Sequence, residues 1–247
     1  MRIFIGFDDT DNSEADRGTG KLARWFEHSL PPDYVVWGVV RQQLLVHDAI
    51  PYTSHNSSAC VIVNVPDGSY KDDVIRRAVE HIETYSLPGS DPGLCVACEN
   101  EVALHEVIDV GFQCTSRVLR QKDVIKFSQT LHISGHGGTN DGIIGATAAV
   151  GLTASGWCGR FIEYGRLRTY PDSIKISDLE RDGIMVTSID RNALVPSSDD
   201  VVVSKGWLRP RLLGNRPVLI VTPGDEGIWE SLGEKRQNNH SEQIAQS

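Results

Sequence analysis

Long apolar runs are missing from this 247-residue sequence. No segment reaches the roughly 18 apolar residues that a membrane helix needs. The opening MRIFIGFDDTDN stops its apolar stretch at carboxylates, so it is expected to be neither a signal peptide nor a span. Basic residues are scarce too: 24 Lys and Arg face 33 Asp and Glu, a formal charge of −9. A polyanion would find little long-range attraction in such a chain, and small or metal-bridged substrates suit it better. Cysteine is limited to five residues, an odd number without a second CxxC pair, which argues against a disulfide framework or a zinc ribbon and for a reducing cytoplasm. The phosphate-binding pattern GxxxxGK[ST] is absent.

What is present is an ordinary globular composition, 40% apolar and 23% charged, enough for one large or two small buried cores. The spacing predicts a strand over 2–7, then a helix from Gly18 with Leu22, Phe26 and Leu30 on one face. Strands are predicted at 34–41, 58–65 and 94–97, with a helix from Ser69, capped through Asp72, between the last two. That order, βαββαβ, is the ferredoxin-like split arrangement. The fold class is therefore read as α/β (α+β): a ferredoxin-like half over 1–98, a mixed helical and strand half over 99–230, and a disordered tail over 231–247.

Three carboxylates, Asp8, Asp9 and Asp11, follow the first strand directly, where open α/β sheets place ligands. Two ionised carboxylates about 5 Å apart repel by roughly 3 kcal/mol at an effective dielectric near 20. A hard cation removes that repulsion, and all-oxygen ligands favour Mg²⁺ shared with substrate phosphates, most simply those of ATP. The plainer alternative is a solvated acidic turn capping a helix. A second constellation runs from Gly135 to Ala146 and includes Gly138, Asp141, Gly142 and Gly145. It reads equally as a backbone cradle for phosphate or as a tight loop before a close-packed helix. Thr10, Thr19 and Lys21 share the acidic turn, either touching phosphate or capping the first helix. Cys95 and Cys98 on a strand point to opposite faces, so metal or redox use is not expected. His47, His105 and His132 stand alone.

The blocks FIGFDDTDN at 4–12, IPYTSHNSSA at 50–59, SDPG at 90–93, GIIGATAAVG at 142–151 and RFIEYG at 160–165, with Thr19, resemble in order the archaeal tRNA 2-agmatinylcytidine synthetase family. That family phosphorylates a tRNA wobble cytidine with ATP and replaces the phosphate with agmatine, using a ferredoxin-like and a kinase-like domain. The resemblance implies that Asp8, Asp9 and Asp11 hold Mg²⁺ and ATP. It implies that Thr19 matches a threonine that becomes phosphorylated, and that the loop through Gly142 and Gly145 touches nucleotide. RPVLIVTPGDEG at 216–227 loosely resembles a segment near the amine site.

The family also carries an OB-fold and a zinc ribbon that grip tRNA, and neither is expected here. Thr53 and His55 occupy a loop that is basic in the family. The expected activity is ATP- and Mg²⁺-dependent phosphoryl transfer, synthetase-, ligase- or kinase-like, to an acceptor left open between RNA and a small amine or metabolite. Tight tRNA binding by the chain alone at physiological salt is not expected, no membrane partner is expected, and oligomeric state is left open. Two other readings compete. Asp9 to Ser13 has the look of a haloacid-dehalogenase phosphatase motif, with Asp199 and Asp200 as its later acidic pair. A non-catalytic nucleotide-binding module is the other.

Overall fold

A computed structural model describes residues 1–52, 55–204 and 206–232. Thr53 and residues 233–247 of the expected tail lie outside them. The chain forms two compact units, Met1–Gly165 with Arg211–Pro217, and Arg166–Pro210 with the residues from Val218 onward.

The first unit grows from β1 (Arg2–Asp8), whose five central residues are buried. A short helix α1 (Thr19–Trp25) continues as a 3₁₀ turn over Phe26–Ser29, and β2 (Val35–Gln43) and β3 (Ser57–Asn64) follow. Next come α2 (Lys71–Tyr85) and β4 (Gly93–Cys98). β1 lies between β3 and β4, antiparallel to both, and β2 pairs with the far side of β3. The strand order β4-β1-β3-β2 is what two interleaved βαβ crossovers produce.

Alternation along β1 sends Ile3, Ile5 and Phe7 to one face. There they join Leu22, Ala23 and Phe26 of the first helical segment and Val74, Ala78 and Ile82 of α2 in a single core. Phe7 meets Phe26 edge to face with ring centroids 5.6 Å apart. His81 of α2 enters this core with both nitrogens used. Its Nε2–H donates to the Leu22 carbonyl at 3.0 Å, and Nδ1 accepts the Ser29 hydroxyl at 2.9 Å. Burial lowers its pKa and holds it neutral. The expected cap of α2 is replaced: Asp67, not Asp72, takes the Ser69 N–H, at 2.8 Å, because a 3₁₀ turn over Gly68–Tyr70 precedes the helix.

The opposite face is covered by α5 (Gly142–Ala154), after α3 (Leu104–Gln113), α4 (Gln121–Ile125) and β5 (His132–Gly135). β5 extends the sheet beside β4; its four residues are too few to show a strand period. α5 is buried almost throughout, with β1 and β4 on one side and α3 on the other. The approach is backbone to backbone, since a Cβ at Gly6 would fall 2.1 Å from the Ala146 carbonyl oxygen and one at Gly151 2.0 Å from that of Val107. β5 and α5 continue the same sheet and core past residue 98, within one compact unit that runs to Gly165. β6 (Arg160–Glu163) pairs with β2 beyond them.

The second unit holds β7 (Ser173–Lys175), α6 (Ile176–Arg181), β8 (Met185–Ser188) and β9 (Val201–Val203). β10 (Arg211–Leu213) belongs to the first unit, pairing Arg211 with Arg160 of β6. β11 (Arg216–Pro223) then lies parallel to β8 and antiparallel to β12 (Ile228–Ser231), and β12 is parallel to β9. Ser231, placed by sequence in the tail, ends β12. Among the described residues no helix is long and apolar enough to cross a membrane.

Replacing Gly6 by alanine forces α5 off the sheet and is expected to cost about 1–3 kcal/mol or more in urea denaturation. Gly68→Ala, whose new Cβ has nothing nearer than 3.6 Å, serves as control and should stay within about 0.5 kcal/mol. Equal effects at the two sites would contradict the close approach.

Candidate active site

β1 delivers Asp8 to the sheet end, opposite Gly93 of β4. The chain turns immediately at Asp9, whose φ of 48° is left-handed, a conformation uncommon outside glycine and concentrated at functional sites. Thr10 anchors the turn from beneath. Its N–H and its hydroxyl both donate to Thr19 Oγ1, at 3.2 and 3.1 Å, and its carbonyl accepts from Leu87 N–H at 3.0 Å. Both threonines are buried.

Asp91 builds the second wall. Its carboxylate accepts the N–H groups of Asn140, at 2.6 Å, and Asp141, at 3.1 Å, and the Thr139 hydroxyl. Gln121 Nε2 donates to Asp141 Oδ1 at 2.6 Å and to the Thr139 carbonyl at 2.8 Å. These bonds carry the glycine-rich loop into α5, whose first turn presses on the strand end. A Cβ at Gly145 would sit 1.8 Å from Asp8 Oδ2. Only glycine leaves room for the carboxylate there.

The two walls enclose a cleft of about 150 Å³. Asp8, Asp9, Asp11, Asp91 and Asp141 line it together with Leu44, Ile50, Pro51, Tyr52, Val118 and Leu119, and with the polar side chains of Thr19, His55, Asn56 and Arg117. Burial, and then the charge of Asp9, push the Asp8 carboxyl from 3.8 up to about 8. Burial followed by the charges of Asp91 and Asp11 lifts Asp9 to about 6. Burial, reinforced by Asp8, drives the Cys114 thiol up to about 12. Arg117 is the cation on the cleft wall; its guanidinium also donates to Gln113 Oε1.

The donor set fits a hard cation: several oxygens, mutually repelling, two of them held above their ordinary pKa. Among the described residues, however, no three His, Cys, Asp or Glu side chains are already gathered to hold a metal ion. The expected Asp8, Asp9 and Asp11 trio is thus not preassembled. Mg²⁺ ordinarily takes only one or two carboxylates and fills its shell with water and phosphate oxygens, so the pattern remains compatible with a nucleotide-borne ion.

Of the residues expected to form a site, Asp8, Asp9, Asp11, Thr19, Asp141, Gly142 and Gly145 line one cleft. Thr10 sits behind it as a support. Lys21 does not line it; its ammonium lies 5.3 Å from the centroid of the Trp25 ring, its neighbour one helical turn on. Gly138, with φ of 59°, packs on Asp91 rather than facing the cleft. Sequence reasoning missed Asp91 and Arg117. Asp91 was hidden in a turn signal, and nothing in the spacing joins it to residues 8 and 141. Cys98 belongs to the core under α1 and α2 and Cys95 does not, as alternate faces require. In the second unit, the Asp200 carboxylate accepts from Ser197 N–H and the Trp229 indole, both at 2.8 Å. These bonds give it a structural task in place of the one the phosphatase reading needed.

The class defined so far is a mixed α/β scaffold with an acidic cleft at the end of β1. Solved structures share the fold, among them the following three. A tRNA fluorescent labeling enzyme is 25% identical, with a TM-score of 0.52, over 61% of this chain and 36% of that one. A complex of TiaS with tRNA and ATP is 24% identical over the same shares, also at 0.52. Apo TiaS, a tRNA agmatidine synthetase, is 20% identical over 79% of this chain and 48% of its own, at 0.50. The resemblance read from the sequence blocks therefore holds in three dimensions. The chain spans between about a third and a half of the lengths it matches. No protein-family model and no curated protein matches it.

The raised Asp8 pKa has a signed consequence for stability. Between about 4 and 8 the folded chain keeps a proton at Asp8 that the unfolded chain has lost, so this group's contribution falls as pH rises through that window. His81, held neutral, acts in the opposite sense, so the signature is a difference between proteins. In chelator, Asp8→Asn should gain Tm over the parent progressively from pH 5 to 8, by about 2–4 °C per kcal/mol recovered. A constant or shrinking difference in calorimetric scans contradicts the assignment.

Proposed function

We propose that the chain is an ATP-dependent enzyme of the tRNA-modifying kind, working in the cytoplasm. In this reading the cleft at the end of β1 binds ATP and directs phosphoryl transfer to an acceptor nucleoside. The observation that carries the reading is the Asp8 carboxylate, buried among other acids and pressed against Gly145, in a scaffold shared with enzymes solved with tRNA and ATP. Burial among acids keeps Asp8 protonated up to about pH 8, and a bound cation would offset the cost of ionising it.

Asp8 and Asp9 would hold Mg²⁺, with Asp11 and Asp91 adding to the field that attracts it. When bound, the ion neutralises phosphate charge as the γ-phosphoryl group moves. The chain's own part is positioning. The first turn of α5, from Gly142, presents backbone N–H groups to phosphate, and Tyr52, Ile50 and Val118 offer an apolar wall to a base. Arg117 supplies a compensating positive charge. Thr19, held by Thr10, is the hydroxyl closest in role to the phosphorylated threonine that the resemblance implies. The sheet through β4 is read as the ferredoxin-like part and the remainder as the kinase-like part.

At 100 times its dissociation constant, Mg²⁺·ATP should stabilise the protein by about 2.7 kcal/mol, or roughly 5–10 °C in Tm. ATP with chelator should do far less, and equal shifts in the two arms would remove the metal from the account. Asp8→Asn and Asp9→Asn should each abolish ATP turnover while circular dichroism stays native. Unfolding of both variants would mark a structural turn instead. Gly145→Ala, which places a methyl on the Asp8 carboxylate, should cut Mg²⁺·ATP affinity at least tenfold by calorimetry, and unchanged affinity would return the loop to a packing role.

A further inference from the structure

A second depression, of about 450 Å³, opens in the first unit, and three of its ten lining residues are arginines. Arg41 of β2, Arg160 of β6 and Arg211 of β10 all line it. The strand register puts them on one rung, Arg41 opposite Arg160 and Arg160 opposite Arg211. Like charges directly opposite one another weaken a sheet. Here three stand in succession, in a chain of net charge −9. At about 4.8 Å between strands, the row spans about 10 Å.

Its position is held firmly. Gln42 Nε2 donates to Thr153 Oγ1 at 3.0 Å and to the Cys158 carbonyl at 3.1 Å, fixing the turn that starts β6. Trp157, in that same turn, is 64% exposed. The row also reaches the cleft: Arg41 Nε donates at 2.9 Å to Ser57 Oγ, and Ser57 lines the cleft. A line of guanidinium groups, with an exposed indole three residues before Arg160 in the chain, offers the chemistry that holds single-stranded polynucleotide, phosphates on the cations and a base on the ring.

We propose that this arginine row, with Trp157, is the binding track for a single-stranded segment of the acceptor RNA, laying its backbone beside the ATP cleft. The inference rests on the nucleic-acid acceptor of the proposed function and adds where that acceptor is held. The local row gives orientation at modest affinity, and the net negative charge of the chain keeps that affinity low.

The test is fluorescence anisotropy of a labelled single-stranded RNA of about 15 nucleotides with the full chain, across roughly 50–200 mM salt. Wild type should bind in the micromolar range at the low end, weakening with salt. Arg160→Gln with Arg211→Gln should raise Kd at least tenfold and flatten the log–log salt slope by about 1.4, close to 0.7 for each lost phosphate contact. Arg211→Gln alone, at an exposed position, should flatten it by about 0.7 and guards against misfolding of the double variant. Trp157→Ala should raise Kd about fivefold or more with the slope unchanged. Mg²⁺·ATP affinity should stay the same in all variants. RNA affinity and slope indifferent to both arginine variants would overturn the proposal, as would a poly-glutamate peptide or the matching DNA binding better than RNA. Arginine-dependent RNA binding without any Mg²⁺·ATP binding would leave the track standing and remove the ATP reading instead.

Discussion

The structure of the first unit depends on how closely α5 approaches the sheet. Side chains normally separate a helix from a sheet, but here Gly6, Gly93, Gly142 and Gly145 leave backbone against backbone or against a carboxylate. Two things follow from that one constraint. The first turn of α5 reaches the end of β1, and the Asp8 carboxyl loses much of its water on the side that α5 covers. The packing reading of the loop is met at these glycines, and the phosphate-cradle reading belongs to the proposed function.

The second consequence is electrostatic. Asp8 and Asp9 are held above their ordinary pKa by burial and by the neighbouring acids, a state characteristic of functional sites. Asp91 adds charge while clasping the loop that precedes α5, so loop geometry and acid cluster are tied through one side chain. Around this acidic floor the cleft is apolar at Ile50, Tyr52 and Val118, the mixed character of a site for a molecule that is anionic at one end and aromatic at the other.

Much of this was legible in the chain. The short apolar run at 2–7, the stripe of Val74, Ala78 and Ile82, and the β-branched runs pointed to the split crossover order, because each is a local signal: buried strands read as continuous apolar runs and α2 carries one apolar stripe. Asp8, Asp9 and Asp11 were legible because clustered charge after a buried strand has few other uses. Thr10 was read as a contact and is a support, and Lys21 was read toward phosphate but lies along Trp25; one helical step decides such orientation, and composition does not encode it. Asp91, Arg117 and the row of Arg41, Arg160 and Arg211 were not legible, since each depends on strand pairing or loop closure between distant segments. α5 showed no period because it is apolar on every side.

The central claim is that the acid cluster exists to receive a nucleotide-borne cation. Crystals grown with Mn²⁺ in place of Mg²⁺ and a non-hydrolysable ATP analogue test it directly through anomalous scattering. The account predicts a peak within roughly 2.0–2.6 Å of an Asp8 or Asp9 carboxylate oxygen, shared with the analogue's terminal phosphates and beside the first turn of α5. Nucleotide bound in the cleft without a metal peak at those carboxylates, or bound only along the arginine row, would contradict it.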